Sequence, residues 1–244
     1  MRRGNLLLGV LTLGALAVLV GLGTWQWQRM GEKAALIATI NERSLRPAAP
    51  LPASGSWDRL DLAGLAYQPV TASGRFDHAR EAHVFFSLPK PMHGVGGPGY
   101  LILTPLTLKE GGTVLVNRGF VPEAKKAATT RADGQIADEV AVNGLIRLPE
   151  PRGRFSNPDD PVKNIYYVRD PASIARALGL GAVAPFIIDM TGPLPPGRLP
   201  VPGATQIDIP NNHFSYALTW WSLAGVLAVI ALMLARGRSG RLDL

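Results

Sequence analysis

Two blocks of this chain leave little choice of structure. Asn5 to Gly23 reads NLLLGVLTLGALAVLVGLG, and Tyr216 to Ala235 forms a second run without a charged residue. As helices of about 19 and 20 residues rising 1.5 Å each, they reach roughly 28–30 Å, the thickness of a bilayer's hydrocarbon layer. Both carry small residues and aromatics at one end, as membrane helices do, and both are longer than the usual buried helix of a soluble domain. A cleaved leader is the competing reading of the first block. Its apolar core exceeds the usual ~7–15 residues, and it runs into GTWQWQR with no small-residue cleavage site, so an uncleaved anchor is expected. Met1-Arg2-Arg3 precedes the first block, and Arg236, Arg238 and Arg241 follow the second. Positive flanks mark the cytoplasmic side, which places both termini inside and the main domain outside, in the periplasm if the membrane is a bacterial inner membrane.

That topology absorbs five arginines, so the formal net charge of +7 says little about anionic partners. No aromatic-basic motif for nucleic acid occurs in the external part, and no nucleic-acid partner is expected. The chain has no cysteine, which excludes disulfides, thiolate metal sites, covalent C-x-x-C-H haem attachment and thiol-based copper transfer. The external domain must cohere by packing alone.

The resulting layout has a first transmembrane helix over 1–24 and a helical stem over 25–46, where WQWQRMGEKAALIATINERSL keeps helical spacing and meets no proline before Pro47. A β-rich domain is expected over 47–203, a return linker and helix start over 204–215, a second transmembrane helix over 216–235 and a cytoplasmic tail over 236–244. RPAAPLPASGS is a proline-rich break, and WDRLDLAGL is expected to form a short helix capped by Ser56. The strand candidates are YQPVTASGRF, EAHVFFSL, GYLILTPLTL, GTVLVNRGFV, VAVNGLIRL, NIYYVRD and PFIIDM, with KEGG turning a hairpin between the third and fourth. PASIARALGL reads as a helix with Asp170 as cap and Gly179 as stop, and TGPLPPGRLPVPG as an extended linker. The fold class is therefore an α+β membrane protein in which two transmembrane helices flank a β-rich extracytoplasmic domain, with a small barrel as one arrangement of its strands.

Few residues offer chemistry. GVGGPG at 94–99 matches G-x-G-x-x-G, but Pro98 interrupts it and a strand rather than a helix follows, so it reads as a flexible loop. His78, His83 and His93 lack metal-ligand spacing and read as solvated or locally bonded. Asp159 and Asp160 between two prolines read as turn formers. In VNRGFVP, Gly119 would permit positive φ or close backbone approach, while Arg118 is either a surface arginine at a tight corner or a planar fork for a carboxylate. NNHFSYALTWW is the sharpest signal. Asn211 or Asn212 suits a helix cap, and His213 stands in the first turn with Tyr216, Ala217, Trp220 and Ala224 along one stripe. An imidazole at the mouth of a membrane helix is either an interfacial residue beside an aromatic belt of Tyr216, Trp220, Trp221, Trp25 and Trp27, or a functional group such as an axial haem ligand.

Taken together, GTWQWQR, VNRGFVP, PDDPVKNIYYVRD and NNHFSYALTWWSLA resemble, in order and over residues 23–224, the motif set of the surfeit-locus-one family of cytochrome c oxidase assembly factors. Phe120 stands where that family usually has a tryptophan, and Tyr166 where tryptophan is frequent. The resemblance implies a non-enzymatic role in placing haem a in the catalytic subunit of aa-type oxidases, with His213 at the position of the proposed iron ligand. Around it, Tyr216 and Trp220 are expected to flank the macrocycle, and Arg118 to contact a propionate or a docking partner. The implied partners are the oxidase catalytic subunit, haem a synthase and membrane lipid. Gly14, Gly21, Gly23, Ala217, Ala224 and Gly225 would let the two spans approach or leave a slot. Two other functions compete: a scaffold that holds the oxidase subunit without touching haem, and an external enzyme on two anchors, against which the lack of a nucleophile, metal cluster or cofactor loop argues.

Overall fold

The computed structural model describes residues 3–205 and 211–239. The chain forms two compact units, Met1–Ile40 with Asp208–Leu244, and Asn41–Ile207. Met1-Arg2, residues 206–210 of the expected return linker and residues 240–244 of the expected tail lie outside the described residues.

In the second unit the strands close a small barrel. After the helix α1 (Arg3–Ser44) come a two-residue strand β1 (Ala49–Pro50), a 3-10 turn over Ser54–Arg59 and the short helix α2 (Leu62–Leu65). Then follow β2 (Pro69–Phe76), β3 (Ala82–Met92), β4 (Val95–Leu108), β5 (Thr113–Pro122), β6 (Val140–Arg147), β7 (Ile165–Tyr166), α3 (Pro171–Ala177) and β8 (Val183–Met190). The sheet runs β2-β6-β8-β5-β4, and the antiparallel pairing of β4 back onto β2 closes five strands into a ring. β3 continues the sheet beyond β4, with β1 and β7 as short outer strands.

Alternation along the strands fills the ring. Val70, Ala72 and Phe76 of β2, Leu106 of β4, Val114 and Val116 of β5, Val142 and Ile146 of β6, and Phe186 and Ile188 of β8 form one buried cluster. Trp57 joins it, edge-on to Phe186, and its indole N–H donates to the Pro52 carbonyl at 2.9 Å. The opposite faces of β4, β5 and β8 are also covered. Leu101, Leu103, Leu115, Phe120 and Ile187 pack with Val84, Tyr166 and Ile174 into a second cluster. β5 is thus buried on both faces, which explains why GTVLVNRGFV is a continuous apolar run rather than an alternating one.

Several local expectations hold. KEGG turns the β4–β5 hairpin with Gly111 and Gly112 at positive φ. Asp170 caps α3 by accepting the Ala172 N–H at 3.1 Å, and Gly179 has φ +63°. Others change. WDRLDLAGL is not one helix: the chain breaks at the extended Leu60, so that Trp57 can plug the barrel. Ser56 caps nothing and donates its hydroxyl to the Ala53 carbonyl. GVGGPG is not a flexible loop: Gly94 belongs to the turn after β3, and Val95–Gly99 are the first part of β4, held by pairing with β3. NIYYVRD yields only the two residues of β7, because the Tyr167 N–H turns aside to the Asp159 carboxylate at 2.8 Å. Asp160 accepts the Lys163 N–H, so this pair forms a turn, as expected.

The proline-rich stretch after β8 is not a free linker. Phe120 and Val201 exchange backbone hydrogen bonds of 2.9 and 2.8 Å, and Val201 is buried. Gly119 makes this possible. At φ +124° it adopts a conformation that side chains resist, and a methyl group there would overlap the Val201 carbonyl.

In the first unit α1 and α4 (His213–Ser239) are antiparallel: the start of α4 lies beside Gln26 and Met30, and Ala228–Ala235 lie beside Leu8–Leu16. Both are long and apolar enough to cross a membrane, and little of each apolar window is buried. The 42 residues of α1 would extend roughly 63 Å, twice a bilayer. The sequence changes character at Gln26, Gln28, Arg29, Glu32 and Lys33, so the distal half is suited to water.

Candidate functional site

A narrow seam joins α1 to α4. On α1 the less exposed residues include Leu16, Leu19, Gly23, Gln26 and Met30; on α4 they include His213, Ala217, Trp220, Ala224 and Ala231. Their spacing of three and four is that of two helices packed along one stripe. Of the six small residues expected to let the spans approach, three are on the seam: Ala217 is fully buried, Ala224 nearly so, and Gly23 is covered by the Trp221 indole. Gly14, Gly21 and Gly225 face outward with nothing against them.

Polar groups gather at one end of the seam. His213 Nδ1 lies 2.6 Å from Gln26 Oε1. One turn further along α1, the Met30 carbonyl accepts a 3.1 Å hydrogen bond from Asn211 Nδ2. Asn211 therefore reaches across to α1 instead of capping α4, and its buried Oδ1 has no partner. Asn212 contributes its backbone carbonyl, which accepts the Tyr216 N–H at 3.4 Å. Just below this layer Trp27 of α1 meets Phe214 at 6.4 Å and Trp221 at 5.9 Å between ring centroids.

His213 is half-buried at the head of the seam and Trp220 lies on it two turns down, whereas Tyr216 is 56% exposed and off the stripe. Gln26, Trp221 and Phe214 complete the arrangement. Gln26 was visible in GTWQWQR, but nothing local in the sequence ties it to a histidine 187 positions away. Can this end of the helix pair suit an iron porphyrin? One imidazole nitrogen is committed to an amide oxygen and the other remains for a metal, the usual state of a ligating histidine. Exposed aromatic and aliphatic side chains surround it, so the residues fit. A groove of about 500 Å³ lies further along the same helices, lined by Leu8, Thr12, Leu16, Ala228, Ala231 and Leu232. It begins about 22 Å along α4 from His213, by the rise per residue.

Arg118 stands in the other unit and is not the surface arginine of a tight corner. It is 4% exposed. One guanidinium nitrogen faces His78 Nδ1 at 3.1 Å, another donates to the Gly134 carbonyl, and the plane lies 5.1 Å from the Phe76 ring centre. With no carboxylate bonded to it, burial pushes the guanidinium down to about 10. It lines a cavity of about 110 Å³ with Phe76, Val142 and Met190. Its neighbours form a buried polar layer. Glu81 accepts from Arg131 and from His83 Nε2, and the His78 Nε2–H faces the Ile136 carbonyl. His78 and His83 are thus locally bonded, as expected. A second buried hub, unforeseen in PFIIDM, is Asp189, which accepts from Asn117, Arg169 and Thr205 and pairs with Arg147. Among the described residues no group of three His, Cys, Asp or Glu side chains could hold a metal ion.

Comparison with known proteins gives a consistent answer. The model of the SURF1 family matches residues 13–225. The rat protein named Surfeit locus protein 1 is 34% identical over 225 residues, covering 88% of this chain and 71% of the rat protein. Its human counterpart is 36% identical over 223 residues, covering 86% and 71%. A SURF1-like protein of Monosiga brevicollis is 34% identical over 231 residues, covering 92% and 86%.

Proposed function

The chain belongs to the SURF1 family, and on that premise we propose that it serves the assembly of aa-type cytochrome c oxidase by binding haem a and assisting its insertion into the catalytic subunit. The coarser part, a role in oxidase assembly, rests on family membership. The finer part rests on one observation: a single imidazole stands at the head of an apolar helix seam with one nitrogen held by Gln26.

In this reading haem a is cargo. When bound, it would supply an iron able to take a nitrogen ligand and a macrocycle whose apolar bulk prefers lipid. His213 provides the nitrogen, and Trp220 and Tyr216 provide aromatic surface on and beside the seam. Trp27, Phe214 and Trp221 form a wall at the level where both helices turn from apolar to polar, the depth at which amphiphilic rings settle. Arg118 is buried, with two guanidinium nitrogens engaged by His78 and Gly134, so its part in docking or propionate contact is indirect, through the corner it stabilises. The two apolar helices would place the protein across a membrane, a bacterial inner membrane in our reading. The arginines at both ends keep the termini in the cytoplasm and the barrel in the periplasm, where it can dock on the oxidase subunit or on haem a synthase.

The test is the visible spectrum and haem type of the detergent-purified full chain co-produced with the haem a pathway, wild type beside His213→Ala. We expect haem a in the wild type and loss of most of it, or a shifted Soret band, in the variant. A haem-free wild type, with haem a demonstrably made and an oxidase-subunit complex that survives His213→Ala, would replace this reading with the scaffold.

A further inference from the structure

We infer that Gln26 is the positioning residue of the site: its amide oxygen sets the tautomer and ring orientation of His213, so that Nε2 is delivered unprotonated for ligation. The haem consequence rests on the function proposed above; the tautomer does not.

The argument starts from cost. The α1 side of the seam is otherwise apolar around this position, Leu16, Leu19, Gly23 and Met30, and an amide placed there loses water that only a partner replaces. Its partner is His213 Nδ1, at 2.6 Å. An amide oxygen can only accept, so the nitrogen facing it carries the proton. In a neutral imidazole the other nitrogen then holds a lone pair. Free imidazole side chains favour the opposite tautomer, so the helix pair selects the form that can bind a metal before any metal arrives.

Two neighbouring contacts make this a fixed geometry. Asn211 ties the chain just before α4 to the Met30 carbonyl, one turn beyond Gln26 on α1. Trp221 lies over Gly23, one turn on the other side. His213 is therefore bracketed, and the two helices cannot slide by a turn without breaking both ties. Oriented partners of this kind typically change metal affinity by about 10–100-fold when removed.

The experiment uses the full chain in detergent, with ¹⁵N-labelled histidine, as wild type, Gln26→Glu, Gln26→Leu and Gln26→Met. In haem-free protein, His213 ¹⁵N shifts should report Nδ1–H in the wild type and in Gln26→Glu, which keeps an acceptor oxygen. The Leu and Met variants, similar in volume and helix-compatible, should shift toward Nε2–H. With haem a supplied, the Leu and Met variants should bind about 10–100-fold more weakly while the Glu variant binds as wild type with a lowered reduction potential. Nε2–H in the wild type, or unchanged shifts and haem binding in both apolar variants, would overturn the inference while leaving His213 as ligand. The predicted tautomer pattern in a chain that binds no haem a would retain the positioning role and overturn the haem reading instead.

Discussion

The barrel and the helix pair distribute their polar groups differently. In the barrel, buried charges and amides are tied to one another: Asp189 gathers Asn117, Arg169, Arg147 and Thr205, and Glu81 gathers Arg131 and His83. In the helix pair, three polar side chains, Gln26, Asn211 and His213, meet at one end of an apolar seam. His213 has a free ring nitrogen as drawn by its Gln26 bond, and Asn211 Oδ1 has no partner. Unpartnered atoms are not confined to that end, for Glu81 Oε2, His83 Nδ1, Arg131 Nη1 and Arg147 Nη1 of the barrel also lack partners; what sets the helix pair apart is that its few polar groups cluster at one end of an otherwise apolar surface. The contrast follows from the solvent each unit is suited to. The barrel must exclude water from both faces of β5, while the helices leave their leucines and valines outward, and only the polar end is left for recognition.

The largest expected effect separates the two units most cleanly. Gly119→Ala places a methyl group against the Val201 carbonyl at a positive φ, a backbone clash that no side-chain motion relieves. It should destabilise the barrel by about 3–5 kcal/mol. Hydrogen–deuterium exchange should show β5 and residues 199–203 losing protection while α1 and α4 keep theirs. Equal loss in both units would mean that they do not cohere separately.

What the sequence made legible follows the same division. Barrel strands were readable because alternation and turn residues are local: β2, β4, β5, β6 and β8 fall where Val, Ile, Leu and Phe recur between Gly, Pro and Asp. Gly119 was readable because Asn-Arg-Gly at the end of an apolar strand needs a reason, though not which carbonyl approached it. Arg118 was open to two readings, a surface arginine or a fork for a carboxylate, and is neither, since its burial depends on Phe76, His78 and Gly134, which only the closed barrel brings together. In the helix pair, periodicity gave the stripe from His213 to Ala224 but not which edge meets α1. Tyr216 falls outside the seam and Trp221, one residue from the expected Trp220, covers Gly23. Helical spacing cannot resolve a rotation of one residue until the partner helix is in place.

A smaller effect probes that rotation. Gly23→Leu fills the space of the Trp221 indole and should push the helices apart at the cost typical of overpacking, about 1–3 kcal/mol. The chain has no native cysteine, so a Met30→Cys, Asn211→Cys pair reports helix proximity without background. Disulfide yield between the two should fall several-fold on adding Gly23→Leu, and β5 exchange in the barrel should be unchanged. An undiminished yield would show that Trp221 can leave Gly23 freely and that the seam does not fix the helices.

The smallest effect is graded and belongs to the barrel alone. Burial is the main cause that lowers the His78 imidazole below its ordinary value near 6.5, and the nearby Arg118 guanidinium adds to it. Burial would raise Glu81, but hydrogen bonds from His83 and Arg131 outweigh it and hold the carboxyl below its ordinary value near 4.5. In both cases the unfolded chain takes up the proton first on acidification, so it binds more protons in that window. Barrel stability should therefore be fully present above pH 6.5. It should fall in a first step as pH drops from there through the folded value of His78, and in a second step below about 4.5 as Glu81 protonates and leaves Arg131 without its counter-charge. His78→Gln, which keeps a polar group beside Arg118, should erase the first step and spare the second in urea titrations followed at several pH values. If the first step persisted in that variant, another group would be titrating there. If both steps appeared equally in the exchange of α4, the difference between a self-contained barrel and an open-ended helix pair would not hold.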